Sequence, residues 1–534
     1  MGMLKELGSG NAKADYARLD RRSFIGGTAA VAAGLAMSGT LAAGVRAARA
    51  DDMPVKGGVL KAGMSGGAST DSLDPATFAS EVPKAFGRQW GEQLVQISPK
   101  GELIPALAEE WGSSPDARVW TFKIRKGVEF HNGATLNPDD VVATMERHAG
   151  ENSKSGAFGI MRGIETVKRD GDTVVFTLKE ANADLPYLLE DYHLMIQPGG
   201  GKDNPAAGIG TGPYKVVANE PGVRHGGEKF ANYWRGDERG HAAQIEVVVI
   251  NDTTARVSAL QSGQVDMINR VEPKIVDLVR KSAGVVVHNV AGRGQYVFVA
   301  HCDTGPFDNN DLRLALKYAI DRKEMVDKIL RGYGSIGNDF PINTAYPLFS
   351  DDIEQREFDP DKAKFHYKKS GHDGTVLLRT SDVAFSGAVD AAQLFQQSCA
   401  KAGIKMEVKR EPGDGYWTEV WNKQPFCASY WSGRAPQAQM YSTAYLSSAD
   451  WNDTRFKRPD FDKMVMAARG ELDQAKRKQA YRDIALMVRD DGGVILPMFN
   501  NFIDASGSRI RGWVEDGTQE MGGGYALSRC WVAA

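Results

Sequence analysis

Cysteine is scarce in this chain, with four residues in 534. That density excludes a scaffold built from disulfides. Cys302, Cys399, Cys427 and Cys530 show no C-x-x-C spacing. Four cysteines allow about three pairings, spacing does not choose among them, and at least two read as small buried hydrophobes. Histidine is also thin: nine residues, none beyond His372, and no pair at i, i+4 on a helical pattern. A preorganised zinc site therefore has no support, and the chain carries no Walker A sequence and no H-E-x-x-H. Positive charge is not in excess, since 65 basic residues face 68 acidic ones for a net charge of −3. Nucleic acid is thereby a poor partner. No apolar run after residue 50 is long enough to span a bilayer. Repeats at solenoid periods and long low-complexity linkers are missing as well. What remains is ordinary for a globular protein, 42% hydrophobic and 25% charged, which excludes disordered, collagenous and multi-span membrane classes.

The first 50 residues differ from the rest. Lys5, Lys13, Arg18, Arg21 and Arg22 precede a charge-free run from Phe24 to Val45, and Arg46, Arg49 and the pattern Ala48-Arg49-Ala50 follow it. A charged segment, a weakly apolar segment and an A-x-A-like site make an export signal. Arg21-Arg22 followed by Ser23-Phe24-Ile25 resembles the twin-arginine signal, whose route carries folded proteins. Cleavage after Ala50 removes seven basic and three acidic residues and moves the net charge from −3 to −7. The alternative, an uncleaved anchor, is weakened by the Gly, Ser and Thr content of the run.

Beyond that segment, strand-like and helix-like stretches alternate. Residues 119–125, 173–179, 245–250, 296–300, 375–379, 405–410 and 494–499 are rich in β-branched and aromatic residues and read as strands. Asn137-Pro138 supplies an N-cap and first-turn proline, Asp321 and Glu324 form a capping box, and Asp359-Pro360 opens a helix that Gly371 closes. A long polar-faced helix is expected over 473–490. The mixture implies α/β or α+β layers.

Two catalytic patterns fail on context. Gly63-Met64-Ser65-Gly66-Gly67 matches the nucleophile elbow, which needs a helix straight after the serine. The sequence offers Ala68-Ser69-Thr70-Asp71 and Asp74-Pro75, which reads as loop. Gly332-x-Gly334-x-x-Gly337 matches the dinucleotide pattern but follows a helix where a strand is required, so it reads as a helix stop and turn. No catalytic residue, cofactor or metal is assigned, and an exported hydrolase using Ser65 stays as the alternative.

Several blocks occur in order. They are Gly57-Gly58-Val59-Leu60; Ser72-Leu73-Asp74-Pro75; Pro105 to Trp111; Trp120-Thr121-Phe122 with Arg125 to Gly133; Asp139-Asp140-Val141; Gly210-Thr211-Gly212-Pro213-Tyr214; Ala259 to Asp266; Asp311 to Arg322; and Phe358-Asp359-Pro360. Together they resemble the family 5 solute-binding proteins of ABC importers, the peptide/nickel-type periplasmic receptors. The resemblance implies an α/β, two-lobed periplasmic-binding-protein-like fold with an extra sub-domain in lobe I and a two-strand hinge. Expected boundaries are residues 1–50 for the signal, 51–300 for lobe I with the sub-domain at 81–205, 301–495 for lobe II, and 496–534 for the return to lobe I. The hinge crossings are expected near 296–302 and 494–500. The implied function is a monomeric periplasmic receptor that binds a small solute between its lobes and passes it to a membrane permease.

In this family the cleft strand of the second lobe carries selective residues, here Phe426 to Pro436. Dipeptide receptors follow the Trp with an Asp for the peptide amine. Here Trp431 is followed by Arg434, and no Asp occurs until Asp450. An ammonium beside Arg434 would meet like charge, whereas a carboxylate can take a bidentate guanidinium pair. The dipeptide pattern's carboxylate-binding Arg aligns with Val383 or Ala384, leaving Arg379 and Asp382 nearby. The expected ligand-contact set is Trp431, Arg434, Arg379, Asp382, Ser69 and Tyr441, and the expected solute is peptide-like or carboxylate-bearing. Trp431 also reads as a core aromatic, Arg434 as half of a structural ion pair, Tyr441 as packing against Tyr445, and Ser69 as turn chemistry.

Overall fold

Alternation of apolar and polar residues builds the strands. In Val119–Ile124 the side chains of Trp120, Phe122 and Ile124 are buried and their neighbours are not. That is the pattern of an antiparallel sheet with one face in a core. The computed structural model describes residues 53–150, 153–382, 384–413, 416–434, 436–449 and 451–533. The signal expected over residues 1–50, and the positions Val383 and Asp450, lie outside them.

One 11-stranded sheet runs through the described molecule. Its order is Met406–Arg410, Val376–Thr380, Phe426–Trp431, Val285–Ala300, Val494–Gly507, Met267–Ile268, Val59–Met64, Gln244–Val249, Arg224–Lys229 and Tyr214–Glu220, with Gly334–Ile336 added to Val494–Gly507. A separate four-stranded antiparallel sheet holds Ala108–Ser113, Val119–Ile124, Thr173–Leu178 and Ile164–Asp170. The helices obey their caps. Asn137 and Asp140 form a reciprocal capping box on Pro138–Ala149. Asp321 accepts the Glu324 amide, and Gly371 closes Pro360–Ser370 at φ 70°.

The apolar residues condense into separate cores, and the molecule has two lobes. Phe298, Leu316, Phe395, Phe426, Tyr481 and Leu496 belong to the core of the second lobe. Leu60, Phe86, Trp90, Tyr214 and Cys530 belong to that of the first. The four-stranded sheet closes over its own core from Leu94 to Ile196. The helix Glu81–Trp90 places Val82, Ala85, Phe86 and Trp90 in the first-lobe core. The helix thus packs with Leu60 and Tyr214 rather than with the core that runs from Leu94 to Ile196.

The lobes share two long antiparallel strands, Val285–Ala300 and Val494–Gly507. Residues 285–291 pair with 501–507, and residues from Gln295 onward pair with 494–499. The register breaks between them, at Gly292-Arg293-Gly294. A Cβ on Gly294 would lie 2.6 Å from Asn500 Oδ1, so a larger residue there would have to displace the Asn500 amide. This irregularity lies just before residues 296–302, and it bends the strand as a bulge does.

All four cysteines are free thiols. Cys399, Cys427 and Cys530 are buried, and burial pushes the Cys530 thiol up to about 12. Among the described residues no helix is long and apolar enough to cross a membrane.

Candidate functional site

The strand Phe426–Trp431 lies between Val376–Thr380 and Val285–Ala300. Its last two residues pair across to the hinge strand, Trp431 opposite Gln295 and Tyr430 opposite Tyr296. Period-two alternation sends their side chains to opposite faces. Trp431 is buried, and its indole Nε1 donates to Asp453 Oδ2 at 3.1 Å. The Trp421 indole donates to the same oxygen at 2.9 Å. Tyr430 stays half exposed and lies within electrostatic reach of Arg270 on the first lobe.

The chain then turns through Gly433 at φ 81°, where a Cβ would fall 2.4 Å from Arg293 Cβ. The turn delivers Arg434. Its backbone N–H donates to the Tyr346 hydroxyl at 3.1 Å, and its guanidinium reaches only its own neighbour, the Gly433 carbonyl, at 3.3 Å. Arg434 lies within electrostatic reach of Lys84, Asp191 and Tyr192 of the first lobe. Arg293 stands beside it. It is 7% exposed, donates from Nε to the Ala345 carbonyl at 3.1 Å, and lies 5.4 Å from the Tyr346 ring centroid. Burial pulls its pKa down. Among the described residues neither arginine has a carboxylate within ion-pair distance.

The opposite wall balances its own charges. Glu81, Lys84 and Arg88 share one helix face at i, i+3 and i+7. Lys84 pairs with Glu81 at 3.2 Å, Arg88 with Glu190 at 2.6 Å, and Arg270 with Glu520 at 2.7 Å. Burial pushes Glu190 and Glu520 upward against those guanidinium groups. Glu81 is held below its ordinary value: burial opposes this, but Lys84 and Arg270 together prevail. Asp191 is tied to His193 at 2.6 Å.

Residues 102–453 match the model of the bacterial extracellular solute-binding proteins, family 5 Middle. The chain belongs to this family. Heme-binding protein A of Haemophilus influenzae is 24% identical over 475 residues, covering 81% of this chain and 85% of that protein. The glutathione-binding protein GsiB of Pectobacterium atrosepticum is 25% identical over 474 residues, covering 84% of this chain and 90% of its own. The periplasmic binding protein DppA of Helicobacter pylori, solved with the peptide STSA, superposes with a TM-score of 0.75 at 21% identity, over 90% of this chain and 99% of that one. That likeness carries the two-lobed α/β fold.

Within this family 5 frame the remaining expected residues fall apart. Arg379 is committed to Glu411, and Asp382 to Arg410. Tyr441 is fully buried against Tyr445 and Phe461. Ser69 is exposed on a loop whose backbone abuts Gly222 in the Glu220–Arg224 turn. Ser65 has no elbow: the Val59–Met64 strand runs into loop, and the next α-helix starts only at Glu81. The hydrolase alternative loses its context. Sequence reasoning missed Arg293, Tyr346 and Asp453. The usable signal for Arg293 was a charged residue between two glycines in an otherwise β-branched stretch.

A cavity of about 240 Å³ lies elsewhere on the second lobe, lined by Cys302, Asp303, Arg313, Arg455, Lys457 and Asp491 among others. Its cations already face carboxylates, Arg455 and Lys457 turning to Asp303 at 3.7 and 3.3 Å. Among the described residues no group of three His, Cys, Asp or Glu could hold a metal ion.

Proposed function

We propose that this family 5 protein is a periplasmic receptor of an ABC importer that captures a peptide-like or carboxylate-bearing solute between its lobes. It is exported by the twin-arginine route through residues 1–50, acts as a monomer, and hands its solute to the membrane permease. The observation that carries the ligand reading is the pair Arg434 and Arg293. Among the described residues neither guanidinium has a carboxylate within ion-pair distance, although Asp191 lies within electrostatic reach of Arg434 and Glu190 and Asp516 of Arg293, while the facing cations Lys84, Arg88 and Arg270 are each in an ion pair. A ligand carboxylate supplies the missing charge, and closure of the lobes strengthens that contact by excluding water.

The relatives support the class. Heme, glutathione and the peptide STSA all carry carboxylates, and proteins similar to this one bear those names or were solved with that peptide. The absent Asp after Trp431 argues against a free amine at that point. Of the expected contacts, Trp431 and Arg434 remain in the proposal, and Arg379, Asp382, Ser69 and Tyr441 leave it.

Native mass spectrometry of the purified mature protein tests the reading. The expected result is a bound small organic acid that co-purifies and raises thermal stability by about 2.7 kcal/mol at 100 times its Kd. A bound solute without an acidic group, or hydrolysis that depends on Ser65, would overturn it.

A further inference from the structure

Large aromatic side chains are unusually concentrated at the end of the Phe426–Trp431 strand. The ring of Tyr430 meets Trp417 at 5.4 Å between centroids, and Trp417 meets Trp421 at 6.0 Å. Trp421 meets Trp431 at 6.5 Å and Trp451 at 6.2 Å, and Trp431 meets Trp451 at 6.0 Å. Three of the five are open to solvent: Tyr430 is 45%, Trp417 36% and Trp451 48% exposed. Tyr430 and Trp417 touch directly and Trp451 joins them through Trp421, so the exposed rings form one linked aromatic cluster, a feature that marks binding surfaces.

The inner rings are fixed. Trp421 and Trp431 donate to the same carboxylate oxygen of buried Asp453, which locks both indoles in orientation. Rings held in this way lose little further freedom on stacking. The patch begins three residues before Arg434, and Tyr430 reaches toward Arg270 of the first lobe. Aromatic rings and the two unpaired arginines therefore share the same region.

We propose that the solute carries a flat aromatic group beside its anionic head, and that Tyr430, Trp417 and Trp451 hold that group. The inference rests on the anion reading given above and narrows it. A small polar acid would satisfy Arg434 and leave three rings wet. A cationic aromatic would be repelled, because the unpaired charges beside the rings are both guanidinium. An aryl acid or a peptide with an aromatic side chain satisfies both features at once.

Matched acids test this on the mature protein: N-benzoylglycine against N-acetylglycine, and Gly-Phe against Gly-Ala, titrated by calorimetry and tryptophan fluorescence. The aromatic member of each pair is expected to bind about tenfold more tightly. In Trp451→Ala and Trp417→Ala the ratio within each pair is expected to fall toward one, with the thermal midpoint unmoved in Trp451→Ala, whose ring is half exposed. Phenylalanine at either position is expected to restore part of the ratio. Equal binding within the pairs, no binding of either aromatic acid at millimolar concentration, or a ratio unchanged in both tryptophan variants overturns the aromatic proposal. Aromatic binding that survives intact in Arg434→Ala overturns the anion reading instead and leaves the ring contacts standing.

Discussion

The Tyr346 hydroxyl accepts the backbone N–H of Arg434 at 3.1 Å, and the same tyrosine's ring lies 5.4 Å from the Arg293 guanidinium. One side chain thus positions both unpaired arginines, one through its hydroxyl and one through its π face. Tyr346→Phe removes the first link and keeps the second. It is expected to lower folding stability by about 0.5–1.5 kcal/mol, the worth of one hydrogen bond, and to weaken an acidic solute because the Arg434 turn is loosened. Calorimetry and urea titration read the two quantities separately. Equal affinity would mean that the Arg434 turn holds itself.

Asp339 tests the frame of the second lobe. It is fully buried between Arg322 at 2.5 Å and Arg356 at 2.6 Å, and its second oxygen accepts the Leu496 amide at 3.0 Å. This gives the Ala319-Ile320-Asp321-Arg322 block a structural role: Asp321 caps the helix and Arg322 locks it to Asp339. Burial works against the charge, and the two guanidinium groups hold the carboxyl below its ordinary value. Asp339→Ala leaves buried Arg322 unpaired and Arg356 with Asp490 as its remaining carboxylate, at 2.6 Å, and is expected to cost about 3–5 kcal/mol in urea unfolding. In the wild type the contribution is present at neutral pH and is lost as pH falls below the ordinary carboxylate range.

Asp453 has the opposite sign. Burial pushes it up to about 6, against two indole N–H groups that favour its charged form. The unfolded chain binds the same proton only near pH 4. The folded state therefore binds more protons between about pH 4 and 6, and its stability falls as pH rises through that window. Asp453→Asn is expected to be about 2 kcal/mol more stable than the wild type at about pH 7.5 and equal to it near pH 4. A difference between the two proteins that is the same at both pH values would contradict this.

Much of the fold was legible from local chemistry. The caps at Asn137, Asp321 and Asp359 are read from residues within one turn. The strands at 119–124 and 376–380 follow from the β-branched and aromatic content of 119–125 and 375–379. Of the proposed site, the sequence offers only what is local, Trp431 and Arg434 at one strand end. Arg379 and Asp382 looked free in the sequence, because the partners Glu411 and Arg410 come from the neighbouring strand, whose register is a tertiary fact. Arg293 was hidden because it lies before the 296–300 stretch that reads as strand, and its approach to Tyr346 and the Gly433 turn is a tertiary fact. Asp453 was hidden because the two indoles that orient toward it arrive from separate segments.

The most direct measurement of the central claim is calorimetric titration of the co-purifying solute into the wild type and Arg434→Ala. The account predicts a loss of about 2–5 kcal/mol in binding, because a buried carboxylate is left without its partner, with the urea midpoint unchanged. Undiminished affinity in the variant would contradict it and remove Arg434 from the site.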